Sequence, residues 1–238
     1  MRVCRKRAPP SRAPGKKTLC MSSMGRDNDT PVSSGLAAGA SELVHVAGPV
    51  GILALHGGGI EPGTETLARA VARETGASFY ICAGRLPRGN LRLHRPSPYD
   101  DSELTAALRR FLDHVQLAIS IHGHGRAEET VFLGGLNDTL TARLAQLGRS
   151  ALPRYGWVSD PAAIPLGLRG RHPRNAVNLP PDRGVQMELP RSLRETRTSA
   201  EGRPLEPTGD SLILARVLSH LVREATAAYG RGSWPRPV

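Results

Sequence analysis

Short apolar runs that end at histidine or glycine alternate along this chain with segments in which apolar positions recur every three to four residues. Val50, Ile52, Leu53, Ala54 and Leu55 form one such run, ending at His56 and a glycine cluster, as a buried strand entering a loop would. Thr64 can cap a helix over residues 65–75, where Leu67, Ala70 and Val71 share a face and Gly76 closes the element. Ser78 to Ala83 reads as a second strand. An Arg-rich, Pro-containing loop from Arg85 to Tyr99 follows. Asp101 and Ser102 then precede an amphipathic helix over 103–115, with Leu104, Leu108, Phe111 and Leu112 on one side. Leu117 to Ile121 is a third strand and ends at His122. Thr130 to Leu133 adds another, and Asn137 or Asp138 can cap a helix through Leu140, Leu144 and Leu147. Pro153 to Pro181 is rich in turn residues, Gly184 to Leu189 restores a strand, and Ser211 to Ala228 is a long closing helix.

Strands alternating with helices predict an α/β fold: a three-layer, open, mainly parallel twisted sheet with helices on both faces. One domain is expected over residues 46–230, preceded by a disordered basic tail over 1–45 and followed by a flexible tail over 231–238. No internal repeat is visible. In an open sheet of this kind ligands collect beyond the carboxyl ends of the strands, where the loops converge. His56 and His122 each stand at such an end, and Glu61 lies in the loop after the first.

Composition changes this picture only at the N-terminus. The formal net charge of +11 suggests nucleic acid, since a basic domain gathers phosphate by counterion release. Yet Arg2, Arg5, Lys6, Arg7, Arg12, Lys16 and Lys17 crowd the start of the chain with no acidic residue among them, so much of the excess belongs to a Pro-, Ser- and Gly-rich tail that lacks the apolar groups needed to order it. Met21 and Met24 follow directly, so this segment reads either as a functional basic arm or as the product of an upstream start-codon misassignment. No apolar stretch long enough for a signal peptide or membrane span appears there. The three cysteines, Cys4, Cys20 and Cys82, make no even framework. A reducing, cytoplasmic setting with a buried Cys82 thiol is expected.

The chemistry rests on few residues. A catalytic zinc ion usually takes three nitrogen or carboxylate ligands at about 2.0–2.2 Å and keeps a fourth position for water. Two histidines and Glu61 meet that count, and Gly57, Gly58 and Gly59 let the backbone fold tightly enough for His56 and Glu61 to reach one ion. The same glycines also suit a phosphate cradle or a plain turn, although no Lys-Ser or Lys-Thr follows to make a P-loop. His124 competes with His122, because residues two apart on a strand share a face. Glu188 lies between Met187 and Leu189, where a carboxylate is costly to bury without a purpose. It is either a general base or a residue on a solvated strand face.

These residues fall in ordered blocks. His56-Gly-Gly-Gly-Ile-Glu61-Pro-Gly-Thr, Ser120-Ile-His122-Gly, Val131-Phe-Leu-Gly-Gly135 and Gly184-Val-Gln-Met-Glu188-Leu-Pro-Arg191 resemble the signature blocks of the poly-gamma-glutamate hydrolase family, over about residues 50–194. Proteins of this family are sometimes called phage-related replication proteins. The resemblance implies a fold similar to zinc carboxypeptidases and hydrolysis of gamma-glutamyl amide bonds with one Zn2+ per chain. By position, it implies metal ligands His56, Glu61 and His122 and a catalytic carboxylate, Glu188, that takes a proton from the attacking water and returns it to the leaving amine. His124 becomes a group that orients substrate or supports a ligand. Arg174 and Asn175 resemble an Asn-containing stretch of the family and are expected to anchor a substrate carboxylate. Leu93-His94-Arg95-Pro96-Ser97-Pro98 departs from the family's pattern, since Pro96 and Pro98 reshape that loop; His94 reads as lining the pocket or as a surface histidine.

An anionic gamma-glutamyl polymer or peptide is thus the expected substrate. Two alternatives stand beside it: a nucleic-acid-associated protein acting through the basic tail, or the same metallohydrolase acting on another amide such as an N-acyl amino acid. The paucity of aromatic residues and the absence of zinc-finger spacing weigh against the first. Two histidines and a carboxylate could also hold ferrous iron. No membrane partner is expected.

Overall fold

The computed structural model describes residues 30–32, 36–97, 99–200 and 204–232. An eight-stranded mixed sheet runs in the order β1-β2-β4-β3-β5-β8-β6-β7. Its strands are β1 (Thr30–Val32), β2 (Ala40–His45), β3 (Val50–Gly58), β4 (Ser78–Gly84), β5 (Leu117–Gly123), β6 (Thr130–Gly135), β7 (Gly156–Val158) and β8 (Gly184–Leu189). The central block β4-β3-β5-β8 is parallel throughout, whereas β1, β2 and β6 pair antiparallel to their inner neighbours. A separate antiparallel ribbon joins β9 (Thr196–Thr198) to β10 (Pro204–Pro207).

Helices cover both faces, as the sequence predicts. Side chains of α1 (Thr64–Thr75), α3 (Asp138–Ala151) and α4 (Gly209–Gly230) pack with Ile52, Ala54, Ile119, Ile121, Val185 and Met187 in the larger core. Helix α2 (Ala106–His114) lies on the opposite face with Leu53, Leu55, Tyr80 and Ala118, joined there by Ala176 and Val177. The odd–even alternation of β3, β5 and β8 between these two cores is the pleat read directly. Three helix boundaries have an identifiable cap. Gly76 closes α1 in the left-handed conformation with its N–H on Ala72 O, and Thr105 caps α2 by accepting from Leu108 N. Asn137, not Asp138, caps α3 by accepting from Leu140 N.

Two boundaries need correction. The expected tail over 1–45 is too long: β2 occupies residues 40–45 and pairs with β1 and β4, so the ordered body begins before residue 46. Its alternation was hard to read because buried Glu42 interrupts it; that carboxylate accepts from Tyr80 OH and from Thr105 Oγ1. The second helix is also shorter than 103–115. Asp101–Glu103 form a separate 3-10 turn closed by an Asp100/Glu103 capping box, and the helix starts only after Thr105. Residues 1–29, 33–35 and 233–238 of the expected tails lie outside the described residues. No helix among the described residues is long and apolar enough to cross a membrane.

Candidate metal centre

Three adjacent parallel strands deliver the site. On β5 and β8, Ser120, His122, Gln186 and Glu188 occupy the α2 face, and His122 and Glu188 are register partners. On β3 simple alternation would carry His56 to the opposite face, with Ile52 and Ala54. A register shift against β4 between Ala54 and Gly57 inserts one extra residue and turns the His56 ring toward His122. Beyond it, Gly58 adopts a positive φ of 62°, and a Cβ there would lie 2.3 Å from Gly84 O, so only glycine lets the loop turn this close to β4.

Glu61 is returned to the strand end by its backbone and its carboxylate together. Its N–H donates to His56 O at 2.8 Å, its carbonyl accepts from Thr64 Oγ1 at 2.9 Å, and Oε2 accepts from Gly123 N at 2.8 Å. Oε1 then lies 2.9 Å from His56 Nδ1, and His122 Nδ1 sits 3.1 Å from His56 Nδ1 and 3.7 Å from Glu61 Oε2. The outward nitrogens are engaged elsewhere: His56 Nε2 is 2.8 Å from Arg95 O, and His122 Nε2 is 2.8 Å from Ser120 Oγ. All three side chains are buried.

Burial works against ionising Glu61, but hydrogen bonds from His56 and His94 and the nearby imidazoles hold it below the usual carboxylate range. Desolvation pushes His122 down to about 3, leaving it neutral at ordinary pH. Glu188 moves the other way: burial first, and then the charge of Glu61, raise it well above the carboxylate range against an opposing hydrogen bond from Gln186. Environment thus pushes the two carboxyls in opposite directions, making Glu188 the stronger base of the pair.

The cleft above these groups has a volume of about 810 Å³. His56, Glu61, His122, Gln186 and Glu188 form its floor, and the loops carrying His94–Ser97 and Leu166–His172 form its walls.

The family model of poly-gamma-glutamate hydrolases matches residues 40–202 of this chain. The chain belongs to that family. Relatives in Bacillus subtilis (strain 168) include the UPF0714 protein YndL, 36% identical over 98 residues, and the SPbeta prophage-derived UPF0714 protein YoqZ, 28% identical over 172 residues. These alignments take in 41% and 72% of this chain but only 37% and 57% of the two relatives, so the chain spans well under two thirds of either. A bacteriophage poly-gamma-glutamate hydrolase structure superimposes with a TM-score of 0.66 at 26% identity, covering 84% of this chain and 93% of that one. A zinc-free apo structure of YNDL shares the fold, with a TM-score of 0.67 at 23% identity over 78% of this chain and 90% of its own.

Within this family framework, His56, Glu61, His122 and Glu188 come together, but the expected substrate-binding set divides. Asn175 lines the cleft. Arg174 does not: its half-exposed guanidinium pairs with Asp100, while Arg169 and Arg171 line the wall instead. His124 lies behind the cleft, buried against Phe132 with Nε2 on Thr130 O at 2.8 Å, and holds the β5–β6 turn.

Three further residues belong to the site: His94, for which the pocket-lining alternative holds, and Gln186 and Arg194, which sequence reasoning left without a role. The His94 ring lies against His56, tilted by 33° with centroids 4.0 Å apart, and its Nε2 is 3.5 Å from Glu61 Oε1, so His56, Glu61 and His94 also form a group able to hold a metal. Gln186 donates to Glu188. Arg194 fills the space beside Gly123 and donates to the carbonyls of Pro62, Leu189 and His124, tying three site loops together. The block Leu-Pro-Arg-Ser-Leu-Arg carried that last signal, since an Arg placed one 3-10 turn past the Glu188 strand is within reach of the same strand ends.

Proposed function

We propose that this chain is a zinc-dependent hydrolase of gamma-glutamyl amide bonds, with His56, Glu61 and His122 as metal ligands and Glu188 as the proton-transferring carboxyl. One observation carries the reading. His56 Nε2 faces a carbonyl, which can only accept, so in the neutral ring Nε2 bears the hydrogen and Nδ1 presents a lone pair. That lone pair points at a carboxylate oxygen and at a second imidazole nitrogen. A proton relieves one such pair; a divalent cation satisfies all three donors at once, and two nitrogens with one carboxylate oxygen suit zinc. His122 is preferred to His94 as third ligand because it is buried and its outer nitrogen is fixed by Ser120, whereas His94 is nearly half exposed. That YNDL is described in a zinc-free form agrees with zinc being its usual metal.

Bound zinc supplies Lewis acidity toward the amide carbonyl and lowers the pKa of water at the site. The chain's own residues do the remainder. Glu188, whose strand position sets it beside His122, takes the proton of the attacking water and delivers it to the leaving amine. Gly123 N–H holds Glu61, and Ser120 holds His122, so the ligands keep their orientation while the proton moves. Arg171 on the cleft wall, braced by Gly135 O and Asp138, offers a guanidinium to the carboxylates of an anionic gamma-glutamyl chain.

The test is zinc content by elemental analysis on wild type and His56→Ala, with poly-gamma-glutamate size followed by gel filtration on the same samples. About one zinc per chain and shortening of the polymer are expected in wild type, both lost in the variant. Protein that takes up no zinc when zinc is supplied overturns the metal assignment. Zinc without cleavage overturns the substrate.

A further inference from the structure

Behind Glu188 runs a line of side-chain amides whose direction is dictated from one end. Val177 N–H, in the 3-10 turn Ala176–Asn178, donates to Asn175 Oδ1 at 3.1 Å. A backbone N–H is always a donor, so this contact settles which end of the Asn175 amide is oxygen, and Nδ2 is its donor. Nδ2 donates to Gln186 Oε1 at 2.8 Å. The Gln186 amide is then oriented too, and its Nε2 lies 2.8 Å from Glu188 Oε1 and 3.5 Å from Leu168 O, both acceptors. The three side chains are 2%, 3% and 5% exposed, so water competes little for these bonds. Gly170 closes over Gln186 so tightly that a Cβ there would lie 2.7 Å from the Gln186 Cβ.

We propose that Asn175 and Gln186 form a one-way hydrogen-bond chain that positions the Glu188 carboxyl, with Oε1 held by the Gln186 N–H and Oε2 left outside the amide line. Gln186 and Asn175 are positioning residues, acting through Glu188 rather than on the substrate. The assignment rests on Glu188 being the proton carrier in the proposed hydrolysis. It also changes the expected role of Asn175: its Oδ1 and one Nδ2 hydrogen are already committed to Val177 and Gln186, so its first task is to aim the amide line, not to grip a carboxylate. The loop Gly170–Asn178 thereby links the cleft wall to the reacting carboxyl.

The deciding variants are Gln186→Leu, which removes the donor, and Asn175→Asp, which leaves Gln186, Glu188 and the rest of β8 unaltered in sequence. Aspartate keeps an acceptor for Val177 N but presents an acceptor to Gln186, so the Gln186 amide turns over and aims its oxygen at Glu188 Oε1. On poly-gamma-glutamate both variants should lower kcat by about 10- to 100-fold, the range for losing a group that orients a reacting residue, with KM changed less than about threefold. The double variant should be no worse than Gln186→Leu alone, since both cut one line.

A second measurement needs neither zinc nor turnover. In zinc-free protein labelled with 15N, the Gln186 side-chain NH2 signals, identified by their loss in Gln186→Leu, should exchange slowly with solvent and shift in both Asn175→Asp and Glu188→Gln. A raised KM with unchanged kcat in Asn175→Asp would make Asn175 a substrate-binding residue and overturn the proposal. So would Gln186 signals that ignore Asn175→Asp. Wild-type protein that fails to cleave the polymer would instead refute the hydrolase reading, and the NMR measurement would still decide the amide line.

Discussion

Replacing Ser120 by alanine should weaken zinc binding about 10- to 100-fold while barely altering the stability of the zinc-free fold. Zinc taken through His122 Nδ1 obliges the ring's hydrogen to sit on Nε2, and the acceptor waiting for it is Ser120 Oγ at 2.8 Å, fully buried within β5. Without that oxygen the N–H is left unpartnered in a dry site, a penalty of about 1–3 kcal/mol. At about 1.4 kcal/mol per decade, this corresponds to roughly one to two powers of ten in the dissociation constant. The zinc-free protein escapes most of the penalty. Burial keeps His122 neutral down to about pH 3, so its single hydrogen can move to Nδ1 and point at His56 Nδ1, 3.1 Å away. The cost therefore falls on the loaded state alone. Competition for zinc against a chromophoric chelator measures the affinity, and thermal unfolding of the zinc-free proteins measures the rest. A dissociation constant within about twofold of wild type would refute the tautomer argument, and an equal loss of zinc-free stability would show Ser120 to be a packing residue only.

Other perturbations follow from neighbouring contacts. Arg171→Ala should raise KM for the anionic polymer by about tenfold or more with kcat little changed, as expected on removing a guanidinium–carboxylate contact; an unchanged KM in steady-state assays would remove Arg171 from recognition. Gly123→Ala should destabilise the fold by about 2–4 kcal/mol, because its Cβ would lie 2.3 Å from the Arg194 guanidinium carbon and Arg194 would have to abandon the carbonyls it ties together; urea unfolding reads the loss. Thr105→Val should cost about 2–3 kcal/mol by the same measurement, since one hydroxyl both caps α2 and donates to buried Glu42. Burial opposes the ionisation of Glu65, yet its hydrogen bond and charge contact with Arg85, and then Arg69, lower its pKa in the folded state. That stabilisation is complete above the unfolded carboxylate value of about 4.3 and is lost as pH falls through the folded one. Glu65→Gln should thus be about 1 kcal/mol less stable than wild type at pH 7, a gap that closes in acid; a gap independent of pH would exclude the ion pairs as its source.

The sheet was legible where burial made strands apolar on both faces, as in β4, β3 and β5, and on β8 through the alternation of Val185, Met187 and Leu189 with other residues. Of the flanking strands β6 was also read, whereas β2 and β7 were not. β2 carries Glu42 and Ser41 among few apolar residues, and β7 spans only Gly156–Val158 inside a turn-rich segment. Likewise, the ligand candidates that end strands could be found by position, since a histidine after an apolar run must emerge at the sheet edge. His94 and Arg174 could not be sorted, because both sit in loops and only tertiary folding turns one inward, over His56, and the other outward, onto Asp100. The β3 bulge is the subtler case. Strict alternation would have aimed His56 away from His122, and nothing in the periodicity of Leu53 to Gly57 announces the extra residue.

Because His122 and Glu188 face each other across one rung of the β5–β8 ladder, the distance between the proposed metal ligand and the proposed proton carrier is set by the spacing of adjacent strands. Loops do not enter into it. The walls of the cleft, by contrast, are connections bearing Pro96, Ser97, Leu166 and Arg171, which neither strand needs for its pairing. Evolutionary drift in those connections can change which amide is admitted while the reacting groups keep their separation. Sequence divergence concentrated at residues 94–97 and 166–172 should therefore separate family members by the amides they accept, each keeping the same underlying chemistry.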